Sequence, residues 1–502
     1  MTAVAKVRVS RSYPAPLWAR RWDGAQTHRL NSSHWQTALG QSLNADLLTY
    51  LETLRNRCAY ESDTNPTIDG MISTHQNDVV GFDGPTVQVQ SDSAAYNDWL
   101  EAQWNDWYRS PMPNPTISGT QWLKLCVRGL WKNGEYVAQK ITKKAATGPV
   151  SMRVKPIHPR RLNTPSGLAG DPNVVMGIRL DEDGTPTQYY IEQPERFGVN
   201  ELSLGKADPI PPDDIIHEFL LREEDQIRGV PWMAPSLQTA ADLKDYDLDV
   251  GDAARQGANS GVYWYTDHPE STYLEQSAQL EMERGTQSTG PPGWKPAMMN
   301  ATQPSTQYPD YRCERQSDLG RPVGMPLMTV RLDASKHNYS SARFDGQGYY
   351  RMLRAIQYWL SGTPKSTGML SGLVDDVDRE SSLYYRSKRL AIPERPARVT
   401  YEWTWPVPPH VDPAKEGLGE RIGLENGTIP FADACTARGT DEDRVIAKHL
   451  RTNEKLTAAG LPPLPPIGAY PKAPVDFSSI YGVEEEEESD GNQVNEKEEA
   501  NA

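Results

Sequence analysis

Residues 231–258 constrain the fold more than any other part of the chain. At 100° per residue, Ala240, Leu243, Tyr246, Val250 and Ala254 share one side of a helix, while Asp242, Asp245, Asp249 and Asp252 form a separate stripe about 80° wide. Like charges three and four apart cost an isolated helix about 0.2–0.5 kcal/mol per pair, so the rest of the molecule must hold this one. Two readings fit the stripe. It is a solvated face, or it is one wall of a water-filled tunnel in which a ring of copies multiplies the repulsion.

A second amphipathic helix is expected from Ser340-Ser341, which can cap it, to about Leu360. Tyr349, Met352, Leu353, Ile356, Trp359 and Leu360 fall on one side, with Arg343, Gln347, Arg351 and Arg354 on the other. The arginine side suits solvent, a DNA backbone, or acidic stripes on neighbouring subunits, where its planar fork can hold a carboxylate through two bonds.

Charge excludes some partners. The chain of 502 residues carries a formal net charge of −15, of which the segment from Glu484 onward holds −8. The remaining body is still acidic, so it cannot hold DNA by bulk attraction, and a sequence-specific DNA reader is disfavoured. A channel through which DNA slides is not, since tight binding stalls movement. Cys58, Cys126, Cys313 and Cys435 form no CxxC pair, which fits reduced thiols better than a disulfide framework or a zinc site. No apolar run of about 18 residues or signal-peptide core is present, so no membrane partner is expected. Trp and Tyr (14 and 23) far outnumber Phe (6), a bias that suits amphipathic aromatic surface at subunit interfaces.

Along the chain, residues 1–40 read as an irregular arm. Helical spacing follows at 44–58, 94–108 and 120–131, the last ending at the turn Lys132-Asn133-Gly134. Short alternating runs at 136–138, 152–154, 174–180, 188–192 and 215–220, separated by turn residues, predict strands. The fold class is therefore α+β with a mostly antiparallel sheet.

These segments resemble the lambda-type family of tailed-bacteriophage portal proteins. The likeness is carried by Arg228-Gly229-Val230-Pro231-Trp232-Met233-Ala234-Pro235, preceded by Ile215-Ile216-His217 and followed by the long helix. Pro292-Gly293, Pro304-Ser305, the helix near 308–319, Gly324-Met325-Pro326-Leu327 and Asn338-Tyr339-Ser340-Ser341-Ala342-Arg343 continue it in order. Asp412-Pro413, Gly427-Thr428 and Arg438-Gly439-Thr440-Asp441 extend it downstream, and Val79-Val80-Gly81 and Gly134-Glu135 fit upstream.

The resemblance implies a portal fold assembling as a ring, usually dodecameric. A sheet-containing wing (41–230), a first stem helix (231–262) and a clip (263–305) would come first. A second stem helix (306–324), a tunnel loop (325–339), a long helix behind it (340–362) and a C-terminal wing or crown (363–478) would follow, then an acidic, disordered tail (479–502). It implies a virion protein at the capsid portal vertex, assembled in the host cytoplasm, that passes double-stranded DNA non-specifically during packaging and ejection. Its partners would be its own copies, the terminase large subunit, a head–tail adaptor and the major capsid protein. DNA-channel candidates are Asp242, Asp245, Asp249, Asp252, Met325, Leu327, Met328, Arg331, Lys336 and His337; interface candidates are Arg343, Arg351 and Arg354. Met325 to Met328 offer smooth, polarizable side chains, and Arg331, Lys336 and His337 movable positive charge. Without the resemblance, an ordinary solvent loop with a buried Met fits the same residues.

Catalytic chemistry finds little support, and neither an enzyme nor a cofactor is expected. Gly362-Thr363-Pro364-Lys365-Ser366 echoes a phosphate-binding loop, but Pro replaces the needed Gly and the leading Gly is missing. The nine histidines are dispersed. Glu223-Glu224-Asp225 and Asp375-Asp376 suggest paired acids, but adjacent carboxylates are far more often loop surface than a catalytic pair. A carbohydrate hydrolase is the alternative enzyme, because Trp-rich grooves with carboxylates need no linear motif, and another ring or tube component of a virion is the alternative structural protein. The charged stretch 375–389 has no assigned place.

Overall fold

The computed structural model describes residues 40–143, 148–192, 207–258, 262–265, 295–298, 305–407 and 413–465. The expected arm, the interior of the clip and the acidic tail lie outside these residues.

The chain opens with α1 (Leu43–Thr64) and α2 (Pro66–Val80). The break between them is written as Asn65-Pro66. Proline disfavours helix in the residue before it yet is well placed at a helix start, and the Asn65 side chain accepts from the backbone N–H groups of Thr67 and Ile68. Next come β1 (Thr86–Gln90), α3 (Ala94–Tyr108) and α4 (Gly119–Asn133). A capping box of Ser118 and Gln121 starts α4, and left-handed Gly134 (φ 83°) ends it.

The strands that follow form two antiparallel sheets. Strands β2 (Glu135–Thr142), β3 (Met152–Ile157) and β8 (Ile215–Phe219) pair in the order β3-β2-β8. Between β3 and β8, strands β4 (Val174–Val175), β5 (Ile178–Leu180), β6 (Pro186–Glu192) and β7 (Ala207–Ile210) form a second sheet over a small core of Val137, Ile157, Leu162, Ile178, Tyr189, Ile191, Ile210 and Ile215. The single strand expected over 174–180 is instead a hairpin, turned by Met176 and Gly177, both at positive φ.

Then come α5 (Leu237–Ala258), β9 (Val262–Tyr265), β10 (Lys295–Met298), α6 (Tyr308–Gly320), α7 (Leu327–Arg331) and α8 (Tyr339–Ser361). Helix α5 begins six residues later than its apolar periodicity allowed, because Pro231 and Pro235 hold the chain in a short 3-10 turn first. The stretch expected as loop from 325 to 339 contains α7.

A tight hairpin of β11 (Gly362–Thr363) and β12 (Ser366–Thr367) leads to α9 (Met369–Ser387), so the phosphate-loop echo is a β-turn. Nearly all of the charged stretch 375–389 is helical, within α9. Strand β13 (Thr400–Thr404) returns to pair with β1, Gln90 opposite Thr400 and Thr86 opposite Thr404. Helices α10 (Pro413–Glu425), α11 (Phe431–Ala437) and α12 (Glu442–Ala458) complete the described chain.

The main core joins α2, α3, α4, α8 and α9 with the β1–β13 pair. It divides the expected amphipathic aromatic surface: Trp104, Trp107, Trp122, Trp131, Trp232, Trp403 and Trp405 are all buried in it, whereas Tyr50, Tyr60 and Tyr311 are exposed. Burying an indole favours a partner for its N–H, and most of these have one. Trp107 donates to Met152 O (2.9 Å), Trp122 to Tyr136 OH (2.6 Å), Trp131 to His75 Nδ1 (2.8 Å), Trp403 to Ser371 Oγ (3.0 Å) and Trp405 to Ser361 Oγ (3.2 Å).

Candidate nucleic-acid interface

Helices α5 and α6 run antiparallel. Near one end Ser236 Oγ donates to Leu319 O (3.1 Å); further along, Tyr308 OH donates to Asp247 Oδ1 (2.7 Å) and Arg312 pairs with Asp247 (3.2 Å). Tyr246 packs on Tyr308 and Tyr311. The distal ends lead into β9 and β10, paired with Tyr265 opposite Lys295. Ala240, Leu243 and Val250 are buried. Among the aspartates α6 claims Asp247, whereas Asp242, Asp245, Asp249 and Asp252 stand exposed. Asp242 accepts from Gln238 on its own helix (2.7 Å), and Asp252 pairs with Arg255 (2.9 Å).

The segment between α6 and α8 divides the expected wall residues. Gly324, at φ 67°, turns the chain so that Met325 N donates to Gly320 O (3.0 Å). Met325 is thereby only 2% exposed and belongs to the main core, which removes it from any DNA-facing surface. Leu327 and Met328 are half-buried on α7. Leu332 closes α7 in the left-handed region (φ 52°) and is 77% exposed. This residue was missed in the sequence, where a lone Leu between Arg331 and Asp333 carries no periodic signal.

Arg331, Lys336 and His337 are each brought close to a carboxylate of the same subunit. Arg331 Nη1 donates to Cys313 Sγ of α6 (2.6 Å), and the guanidinium lies 3.5 Å from Asp333. Lys336 pairs with Asp310 of α6 (3.1 Å), a hydrogen bond that raises its pKa. His337 Nε2 is 3.7 Å from Asp345 of α8. The Lys336 pair is well exposed, and solvent screening leaves such pairs little effect on stability.

Helix α8 is capped by Asn338, not by Ser340; Ser341 completes a capping box with it. Tyr349, Leu353, Ile356 and Leu360 are buried, and α2 anchors the helix through Tyr349 OH to Asp78 (2.9 Å) and Gln357 to Val79 O (2.9 Å). On the other side Arg343 and Arg351 are exposed, as are Phe344 and Tyr358. Arg354 is half-buried, its guanidinium 5.3 Å from the Tyr350 ring centroid and 6.0 Å from that of Tyr358.

The motif residues upstream meet in a buried node at the root of α5. Arg228 donates to both carboxylate oxygens of Glu135 (2.5–3.1 Å) and to the carbonyls of Pro159, Leu162 and Met176. Arg55 adds a bond to Glu135 Oε1 (2.7 Å), His217 Nε2 lies 3.1 Å from Oε2, and Gly229 N donates to Oε2 (2.9 Å). Burial alone would raise the Glu135 carboxyl; the two guanidiniums hold it well below its ordinary range. Burial also pulls Arg55 down to about 10. The backbones touch here: a Cβ on Gly229 would lie 2.1 Å from Gly134 O, and one on Gly134 would lie 2.2 Å from Val230 C.

Of the two acidic runs, Asp375-Asp376 is occupied by partners within the fold. Asp375 takes Tyr401 OH (2.8 Å) and Arg395 (3.2 Å), and Asp376 takes Lys140 (2.8 Å) and Arg379. Both belong to the ties that bind α9 to its surroundings.

Residues 28–357 match the family described as phage portal protein, lambda family. The chain is similar to a portal protein of Escherichia phage N15, at 19% identity over 440 residues, covering 80% of this chain and 81% of that one. Among solved structures it is similar to a chain from the neck of an empty GTA particle, at 13% identity over 85% of this chain and 95% of that one, with a TM-score of 0.41. It is also similar to an HK97 family phage portal protein from Corynebacterium diphtheriae, at 11% identity over 71% and 95%, with a TM-score of 0.31.

Proposed function

From the premise that this chain belongs to the lambda family of phage portal proteins, we propose that it is the subunit of a closed ring, dodecameric in the usual case, at one capsid vertex. Double-stranded DNA passes through the bore on packaging and again on ejection. The ring gives the terminase large subunit a docking surface through the region 263–305, and later gives the same surface to a head–tail adaptor. The wing meets the major capsid protein. The chain itself performs no chemistry, and a separate ATPase supplies the work.

The observation that carries this reading is the unit from Leu237 to Gly320, which lies inside the span matched to the family. One helix goes out, a strand pair stands at its end, and a second helix comes back beside it. Its proximal half is anchored in the main core through Ala240, Leu243 and Leu319, and its order of helix, strand pair and helix is the one the resemblance implies for stem and clip. On it α6 leaves Asp242, Asp245, Asp249 and Asp252 uncovered, so a ring of copies presents a repulsive lining to phosphates. Behind it, the half-buried Leu327 and Met328 and the weakly paired Arg331, Lys336 and His337 give a wall that touches DNA without reading bases. On α8, Arg343, Arg351 and Arg354 offer guanidiniums to an adjacent subunit.

Particle mass and negative-stain images of the purified full chain test this reading. The expected result is a closed ring with an open centre, many times the 56.1 kDa subunit. Material that stays at 56.1 kDa in solution and in virions, or a ring with a filled centre, rejects it.

A further inference from the structure

The sequence presents Arg331, Lys336 and His337 as free charge for DNA. The structure instead gives each of them a carboxylate of its own subunit: Asp333 for Arg331, Asp310 for Lys336 and Asp345 for His337. Asp310 belongs to the first turn of α6 and Asp345 to α8, so the segment is tied to both helices that flank it. Arg331 adds a second tie between the segment and α6 through Cys313 Sγ (2.6 Å).

We propose that Asp310, Asp333 and Asp345 are grip-setting residues, counter-charges that fix how strongly the bore holds DNA. This rests on the portal reading. A passing phosphate does not meet a bare cation; it takes a cation over from a carboxylate, and the carboxylate recovers it when the phosphate moves on. Each contact is thus an exchange of ion pairs. The counterions released from DNA are partly offset by those the vacated carboxylate recruits, so affinity and its salt dependence both stay low.

The test uses full-length protein and a short labelled duplex, with binding followed from about 50 to 200 mM salt. Asp310→Asn combined with Asp345→Asn should tighten binding roughly tenfold at the low-salt end and steepen the salt slope, by up to about 0.9 per added phosphate contact. Lys336→Gln in that background should reverse most of the gain. Asp318→Asn is the control: it removes the same charge from α6, but its partner is Arg315 rather than the segment (3.2 Å). An unchanged affinity and slope in the double variant overturns the proposal. So does an equal rise per charge removed in Asp318→Asn, which would make the effect one of bulk charge. Circular dichroism checks that the variants fold. Wild-type material without rings brings down the portal reading alone, because the ion pairs lie within one subunit and the same affinity ratios decide the grip on single subunits.

Discussion

Two parts of this molecule set arginine or lysine against carboxylates, and the surroundings make them opposite devices. At the root of α5, Arg228, Arg55, His217 and Glu135 are sealed from water, and nearly every donor has a fixed acceptor. Between α6 and α8, Lys336, Arg331 and His337 each face one carboxylate, in pairs that water can reach. In a low-dielectric interior a lost partner leaves a bare charge that nothing else can solvate; near the surface, water or a phosphate takes its place. The first arrangement fixes where the helix pair leaves the body. The second lets go easily.

The sharpest way to break this contrast is to cut the node. Arg228→Met removes the guanidinium that spans both oxygens of Glu135, leaving it Arg55, His217 and the Gly229 N–H, and leaves three carbonyls without their donor; it should cost about 3–5 kcal/mol in chemical denaturation. A loss below about 1 kcal/mol would mean that the node is no more than a surface pair.

A second test asks whether burial itself sets the cost of charge in the same sheet. Burial pushes Glu218, beside His217 on β8, up to about 7 from an ordinary 4.5. The folded state then keeps a proton that the unfolded state has already released, so wild-type stability falls as pH rises from about 4.5 to 7. Glu218→Gln should therefore match wild type near pH 5 and exceed it by about 2–3 kcal/mol at pH 8, read from denaturation midpoints across pH. A gain that does not depend on pH would assign the effect to packing.

The node also shows what the sequence could and could not reveal. Gly134-Glu135 and Arg228-Gly229 are both visible as motifs, but nothing in a linear reading says that residues 93 apart share one carboxylate and one backbone contact. The faces of α5 and α8 were legible because their period is local. Helix α2 was not read, although Asn65-Pro66 and the spacing of Ile68, Met71, Ile72 and Val79 announce it; His75 breaks the apolar stripe on paper and is buried in fact, its pKa pulled to about 3 by desolvation. The same holds for α9. Its Asp376 and Asp378 look like surface until Lys140 and Arg395 arrive from elsewhere in the chain. Met325 misled in the other direction, since only the turn at Gly324 shows that it points inward.

The surface member of the contrast should yield a much smaller number. Lys336→Gln removes an exposed pair with Asp310, and its denaturation midpoint should be indistinguishable from that of wild type. A loss comparable to that of Arg228→Met would make the segment a second lock and would remove the basis for exchange with DNA.

The smallest stability change is expected where the functional change should be plain. Replacing Asp242, Asp245, Asp249 and Asp252 together by Asn removes repulsion between neighbours on α5, and it also takes the charge from the acceptors that Gln238 and Arg255 use. These terms oppose one another, and each is worth about 0.2–0.5 kcal/mol, so the melting temperature should barely move and rings should still assemble. DNA passage should nevertheless slow, or DNA should remain stuck after packaging, because a lining that repels phosphates within a Debye length of about 8 Å has been neutralised. Packaging at the wild-type rate in rings of normal mass would return this stripe to the role of a solvated face, and would leave the segment between α6 and α8 as the part of the wall that governs the sliding of DNA.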